Sequence, residues 1–299
     1  PAIGIGQIKR IGAIATGKNI IPGITDNAIV TRTGIDRIAD MAERLSLVER
    51  RFDRPVQLHG ATTVTADLMQ MTGKVGQFRF VADGALDGLN GRDLVTAEPE
   101  LAGLEADSTD LVVSPLSLHL VNDTPGLMIQ ARRALVPDGL FLAAVPGAGT
   151  LGELRQSLLE AESHLTGGAH SRVHPFADVR DYGALMQRAG FALPVADRED
   201  IVVRYDDIFA LMRDLRAMGM TNAMSGRSRS PVPRLLFDLA GEIYADRFSE
   251  PDGRIRATFA IVHLSGWTPH ESQQKPLKPG SAKMRLADAL KTEKRETED

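Results

Sequence analysis

Residues 110–146 read DLVVSPLSLHLVNDTPGLMIQARRALVPDGLFLAAVP. The apolar run Leu111-Val112-Val113, bordered by Asp110 and Ser114, has the length and polar ends of a buried strand. Pro125 opens a helix predicted over 125–135, because proline is tolerated in a first turn, where an N–H has no partner to lose. Pro137-Asp138-Gly139 carries turn chemistry, and 140–145 reads as another buried strand. Strand, helix and strand in this order make a βαβ unit, and so a mostly parallel sheet.

Toward the N-terminus the same alternation continues. Ile35, Ile38, Ala42, Leu45 and Val48 recur at three- and four-residue spacing with charged residues between them, which predicts an amphipathic helix over 33–52. Arg54-Pro55 ends it, since the residue before proline disfavours helix. Strands are predicted at 56–58, 77–82 and 94–97, with a helix over 63–71. Toward the C-terminus helices are predicted over 151–165, 178–189 (capped by Gly190), 208–218 and 233–247, and strands at 201–205 and 258–264. The expected organisation is an arm over 1–32, one domain over 33–290 (halves 33–150 and 151–290), and a disordered charged tail over 291–299.

Composition narrows the function classes. The 299 residues include no cysteine, which excludes disulfides, thiolate metal sites and a cysteine nucleophile, and suits a reducing compartment. A net charge of −4 gives no global reason to expect nucleic acid. No apolar run approaches the roughly 18 residues that a transmembrane segment needs. Lys9, Arg10, Lys18 and Arg32 stand against Asp26 in the first 35 residues, a pattern read as a loosely ordered arm.

The segment 110–146, with S-x-L-S-L-H-x-V-x-D after the strand and the L-x-P-D-G turn, resembles the strand 4 to strand 5 region of class I S-adenosylmethionine (SAM) methyltransferases. It is closest in type to the subgroup holding the biotin-pathway malonyl carrier-protein methyltransferase. Residues 207–223 (DIFALMRDLRAMGMTNA), 242–259 (EIYADRFSEPDGRIRATF) and 266–282 (GWTPHESQQKPLKPGSA) resemble bacterial relatives of a mitochondrial complex I assembly factor described as an arginine hydroxylase. The resemblance implies a Rossmann-like α/β fold, a mostly parallel seven-stranded sheet with helices on both faces. It implies SAM as cofactor and either methyl transfer to an unknown acceptor or modification of a protein arginine in a respiratory-complex subunit. A small-molecule acceptor and a non-catalytic binding descendant remain alternatives. The cellular setting implied is the cytoplasm, or the mitochondrial matrix in a eukaryote.

In such a family the first strand ends in D-x-G-x-G-x-G, whose glycines let the backbone approach the methionine part of SAM. Here the stretch is Gln57-Leu58-His59-Gly60-Ala61-Thr62-Thr63, in which Gln57 replaces the acid and Gly60 alone of the glycines remains. The resemblance assigns cofactor contacts to Gln57, His59, Gly60, Asp83 (ribose), Glu98 (adenine), Ser114 and Leu116. His119 is the candidate general base or substrate-orienting group. Trp267, His270 and Glu271 form a candidate wall for a basic side chain. His164, His170 and His174 share a glycine-rich stretch, but their spacing is not a metal motif, so no metal ligands are assigned.

Overall fold

A computed structural model describes residues 40–84, 86–228 and 231–274. The arm over 1–32 and the tail over 291–299 lie outside them. Seven strands form one sheet in the order β3-β2-β1-β4-β5-β7-β6. They are β1 Pro55–Leu58, β2 Arg79–Ala82, β3 Leu94–Thr96, β4 Thr109–Pro115, β5 Leu135–Pro146, β6 Ala192–Tyr205 and β7 Ile255–Trp267. The first five are mutually parallel, and β7 runs antiparallel to both β5 and β6. The mostly parallel α/β sheet expected from the sequence is the one observed. Its chain division falls after Pro269, so the halves meeting at residue 150 share this sheet.

Both faces of the sheet are covered, and the period of two along each strand decides which side chain goes where. In β5, Phe141, Ala143 and Val145 point to one face with Val112 and Leu58. There they meet Leu127, Met128 and Ala131 of the helix Thr124–Ala134 and Tyr182 and Met186 of the helix Val179–Arg188. Leu140, Leu142 and Ala144 point to the other face, with Met41, Ala42 and Leu45 of a helix at 40–46 and Ala66 and Met69 of the helix Val64–Gln70. A third cluster joins the helices Gly152–Thr166, Ile208–Ala217 and Arg234–Phe248 to Tyr205, Ile255, Ala257 and Phe259. Those strand residues lie where β6 and β7 run on past the end of β5, by about 20 Å. Among the described residues no helix is long and apolar enough to cross a membrane.

Two expectations are corrected here. The helix predicted to reach Phe52 stops at residue 46. The Lys74 ammonium donates to the carbonyls of Ser46 (2.5 Å) and Val48 (2.6 Å), and the Phe52 N–H turns to the Lys74 carbonyl (2.8 Å), so the chain leaves helical pairing before Pro55 acts. Pro137-Asp138-Gly139 is not a turn before β5; it is an irregularity inside it. Asp138 takes a φ of 62° and the ladder to β4 shifts register there. The Asp138 N–H donates to the Thr268 carbonyl (3.1 Å) and Thr268 returns a bond to Gly139 (2.8 Å), so the strand continues.

Candidate functional site

The chain winds outward from β1 through β2 to β3 and then crosses to β4 on the other side. The gap between β1 and β4 is therefore a switch point, and ligands of open α/β sheets bind beyond the carboxyl ends of the strands there. Most of the residues assigned by resemblance meet at this edge. Gln57 and His59 stand at the end of β1, Asp83 follows β2, Glu98 follows β3, and Ser114 and Leu116 close β4.

Their geometry differs from an open cradle. Gln57 is 1% exposed, and its Nε2 donates to the Thr62 carbonyl at 2.7 Å, bridging the loop from within. Its Oε1 is buried with no hydrogen-bond partner among the described residues. A Cβ at Gly60 would lie 2.5 Å from Gln57 Nε2 and 2.9 Å from Pro115 Cγ. Glycine at 60 thus makes room for the chain's own Gln57 and Pro115. His59, at φ 51°, donates through Nε2–H to the Leu101 carbonyl at 2.8 Å, which draws the loop after β3 across the edge.

Glu100 ties the same loop from the other side. Its carboxylate accepts from the N–H groups of Asn122 (2.8 Å) and Asp123 (3.0 Å) and from the Asn122 side chain (2.9 Å). Those backbone donors hold its pKa below the ordinary carboxylate value. The sequence singles out Glu98, whose carboxylate, like that of Asp83, is open to solvent. Glu100 carries no local motif, and only the fold brings it to the turn after His119. Ser114 is fully buried, its Oγ on Ser117 Oγ at 2.8 Å, and Ser117 donates to the Leu58 carbonyl at 3.3 Å. That pair braces β4 to β1. Leu116 sits at φ 52°.

His119 lies in a short 3-10 turn over Leu118–Leu120. Its Nδ1 is buried without a partner among the described residues, and its ring centroid is 6.1 Å from that of Phe176. Burial, and then the charge of nearby His174, pull its pKa down to about 4. It is neutral at neutral pH and a weak base. The three histidines of the 164–174 stretch do not converge. His170 and Arg172 both bind the Glu162 carboxylate, at 3.0 Å and 2.6 Å, while His174 bonds the Pro175 carbonyl at 2.6 Å. Burial would raise the Glu162 pKa, but the hydrogen bonds of Arg172 and His170 overcome it and hold the group at about 2.

Trp267 is half-buried against the Leu140 end of β5, the amino end, so it stands away from the β1–β4 edge. His270 and Glu271 belong to the unit after Pro269, in which His270 Nδ1 bonds Ser272 Oγ at 2.7 Å. One group missed in the sequence is Asp40, Glu199 and His263, whose ligand-type atoms all lie within 4.8 Å of one another. It is the one such constellation among the described residues.

No protein-family model matches the chain. The mitochondrial arginine-hydroxylase NDUFAF5 of Dictyostelium discoideum is 44% identical over 192 residues, 64% of this chain but only 44% of that protein's length. The human mitochondrial arginine-hydroxylase NDUFAF5 is 37% identical over 248 residues, 81% of this chain and 71% of its own. A malonyl-[acyl-carrier protein] O-methyltransferase of Laribacter hongkongensis is 38% identical over 187 residues, 62% of this chain and 60% of its own. Among solved structures, the YcgJ protein of a Bacillus species superposes with a TM-score of 0.51 at 14% identity, covering 77% of this chain and 99% of its own, a likeness of fold alone.

Proposed function

The chain belongs to the family of the arginine-hydroxylase NDUFAF5, and from that premise we propose that it hydroxylates an arginine of a protein partner, with dioxygen and an external two-electron reductant as co-reactants so that one oxygen atom enters the arginine and the other leaves as water, and does not transfer a methyl group. The partner in this reading is a subunit of respiratory complex I, met in the bacterial cytoplasm or the mitochondrial matrix. The observation that carries the choice is the Gln57 side chain bonded across its own loop to the Thr62 carbonyl. The residues at this loop do not fit the methionine half of SAM. The ammonium would meet a neutral amide oxygen, buried and turned away from solvent, in place of a carboxylate.

A second reading, methyl transfer, is favoured by Asp83 and Glu98, which stand exposed after β2 and β3 where the ribose and adenine would be held. The two differ in the product. Tandem mass spectrometry of complex I subunits from a strain with and without the gene reads it directly. The expected result is an arginine that carries one extra oxygen in the parent and none in the deletion. A gain of CH2 instead, or an arginine identical in both strains, overturns the proposal. Calorimetric titration of the purified chain with SAM supplies the second arm, with no heat expected at ligand concentrations that saturate working methyltransferases.

A further inference from the structure

We propose that Asp40, Glu199 and His263 form a binding site for one divalent cation of the manganese or ferrous class. The inference does not depend on the reaction proposed above. The three residues come from three separate elements: the helix at 40–46, the edge strand β6 and its neighbour β7. The register explains how the sheet assembles them. Asp197 stands opposite His263 and Glu199 opposite Ile261, so Glu199 is the diagonal neighbour of His263 on the same face, within reach of a long side chain. Ile261 and Trp267, two and four residues either side of His263 by the strand period, pack with Met41, Ala42 and Leu45 of the helix that carries Asp40.

The spacing suits an ion. Metal–ligand bonds of about 2.0–2.2 Å place donors on opposite sides of one metal about 4.2 Å apart and adjacent donors about 3 Å apart. Ligand atoms within 4.8 Å of one another reach that arrangement by small side-chain rotations. One imidazole with two carboxylates is a set of hard and borderline donors, which favours manganese or ferrous ions and leaves coordination positions open for water or a ligand. Arg44 lies on the same helix as Asp40. Its guanidinium grips Asp197 in a two-point contact of 2.8 Å and 2.6 Å.

His263 is 2% exposed yet lines a cavity of about 110 Å³ together with Arg44, Leu142 and Trp267. His263 pairs with Ala144 of β5, and Ala144 with Pro115 of β4. An ion there would lie two strand spacings, roughly 10 Å, from the candidate cleft. It would serve that edge from the flank.

The test uses the full chain, stripped with a chelator and titrated with manganese chloride. Free manganese is followed by its electron paramagnetic resonance and total binding by calorimetry. One manganese ion per chain is expected, with affinity lowered at least about tenfold by Glu199→Gln and by His263→Gln. Asp200→Asn, on the opposite side of β6 and bonded to Arg198, serves as the control and should bind like the parent. Because Glu199 is exposed, Glu199→Gln leaves the core untouched and decides the matter even where the buried His263 variant is unstable. No binding at millimolar manganese, or equal affinity in the parent and Glu199→Gln, overturns the site.

Discussion

His119, beside the carboxyl end of β4, and His263, in β7, are both withdrawn from water, and their surroundings differ in kind. The ring of His119 faces Phe176 and a second histidine, an environment that rejects positive charge and holds the imidazole neutral. His263 has ligand-type atoms of Asp40 and Glu199 within 4.8 Å of its own. The β1–β4 edge stands at the switch point of the sheet, and there Gln57 bonds across its own loop to the Thr62 carbonyl. The flank beside it carries no loop motif, and there the fold brings one imidazole and two carboxylates together.

The largest expected effect tests whether the two regions are parts of one folding unit. Phe141 is fully buried in β5, the strand between β4 and β7, and stacks on Phe191 with ring centroids 5.0 Å apart. Phe141→Ala should cost about 3–5 kcal/mol through lost burial and the cavity left behind. Urea unfolding followed by both far-ultraviolet circular dichroism and Trp267 fluorescence should show one coincident, shifted transition. Two separated transitions would mean that edge and flank fold independently.

A middle-sized effect should stay on one side of the comparison. Gly60→Val places a Cβ against Gln57 Nε2 and Pro115, an overpacking expected to cost about 1–3 kcal/mol. The urea midpoint should fall while manganese affinity at the flank is unchanged. Loss of manganese binding in this variant would show that the flank depends on the edge for its geometry.

Much of the edge was legible because its signals are local. Leu111-Val112-Val113 announces β4 by composition, Asp178 and Gly190 bracket their helix by capping, and the altered Gln57–Thr63 loop is contiguous in sequence. The flank hides its signals. Strand β6 runs through Asp197-Arg198-Glu199-Asp200, a charged stretch that resembles a loop, because an edge strand, paired on one side only, can expose polar groups that an inner strand cannot. Pro137-Asp138-Gly139 has the residues of a turn, yet its bonds with Thr268 carry the strand on, and only that distant partner decides between turn and bulge. Asp40, Glu199 and His263 are joined by tertiary packing alone, so no spacing rule could have connected them.

The smallest expected effect sharpens the contrast between the histidines. The folded pKa of His119, about 4, lies below the ordinary 6.5, so on acidification the unfolded chain takes up this proton before the folded one. Its contribution to stability is full above pH 6.5, declines as pH falls toward 4, and changes no further below that. Solvent screening of a partly open site should keep the slope to about 1 kcal/mol per pH unit or less. His119→Phe removes the titrating group and keeps a ring beside Phe176, so the difference in urea midpoint between variant and parent should shift in the variant's favour as pH drops through this window. A difference that stays constant from pH 7 to pH 4 would mean that the imidazole is already hydrated in the folded chain. The edge would then be open to water, and the case for a closed cofactor cleft would weaken with it.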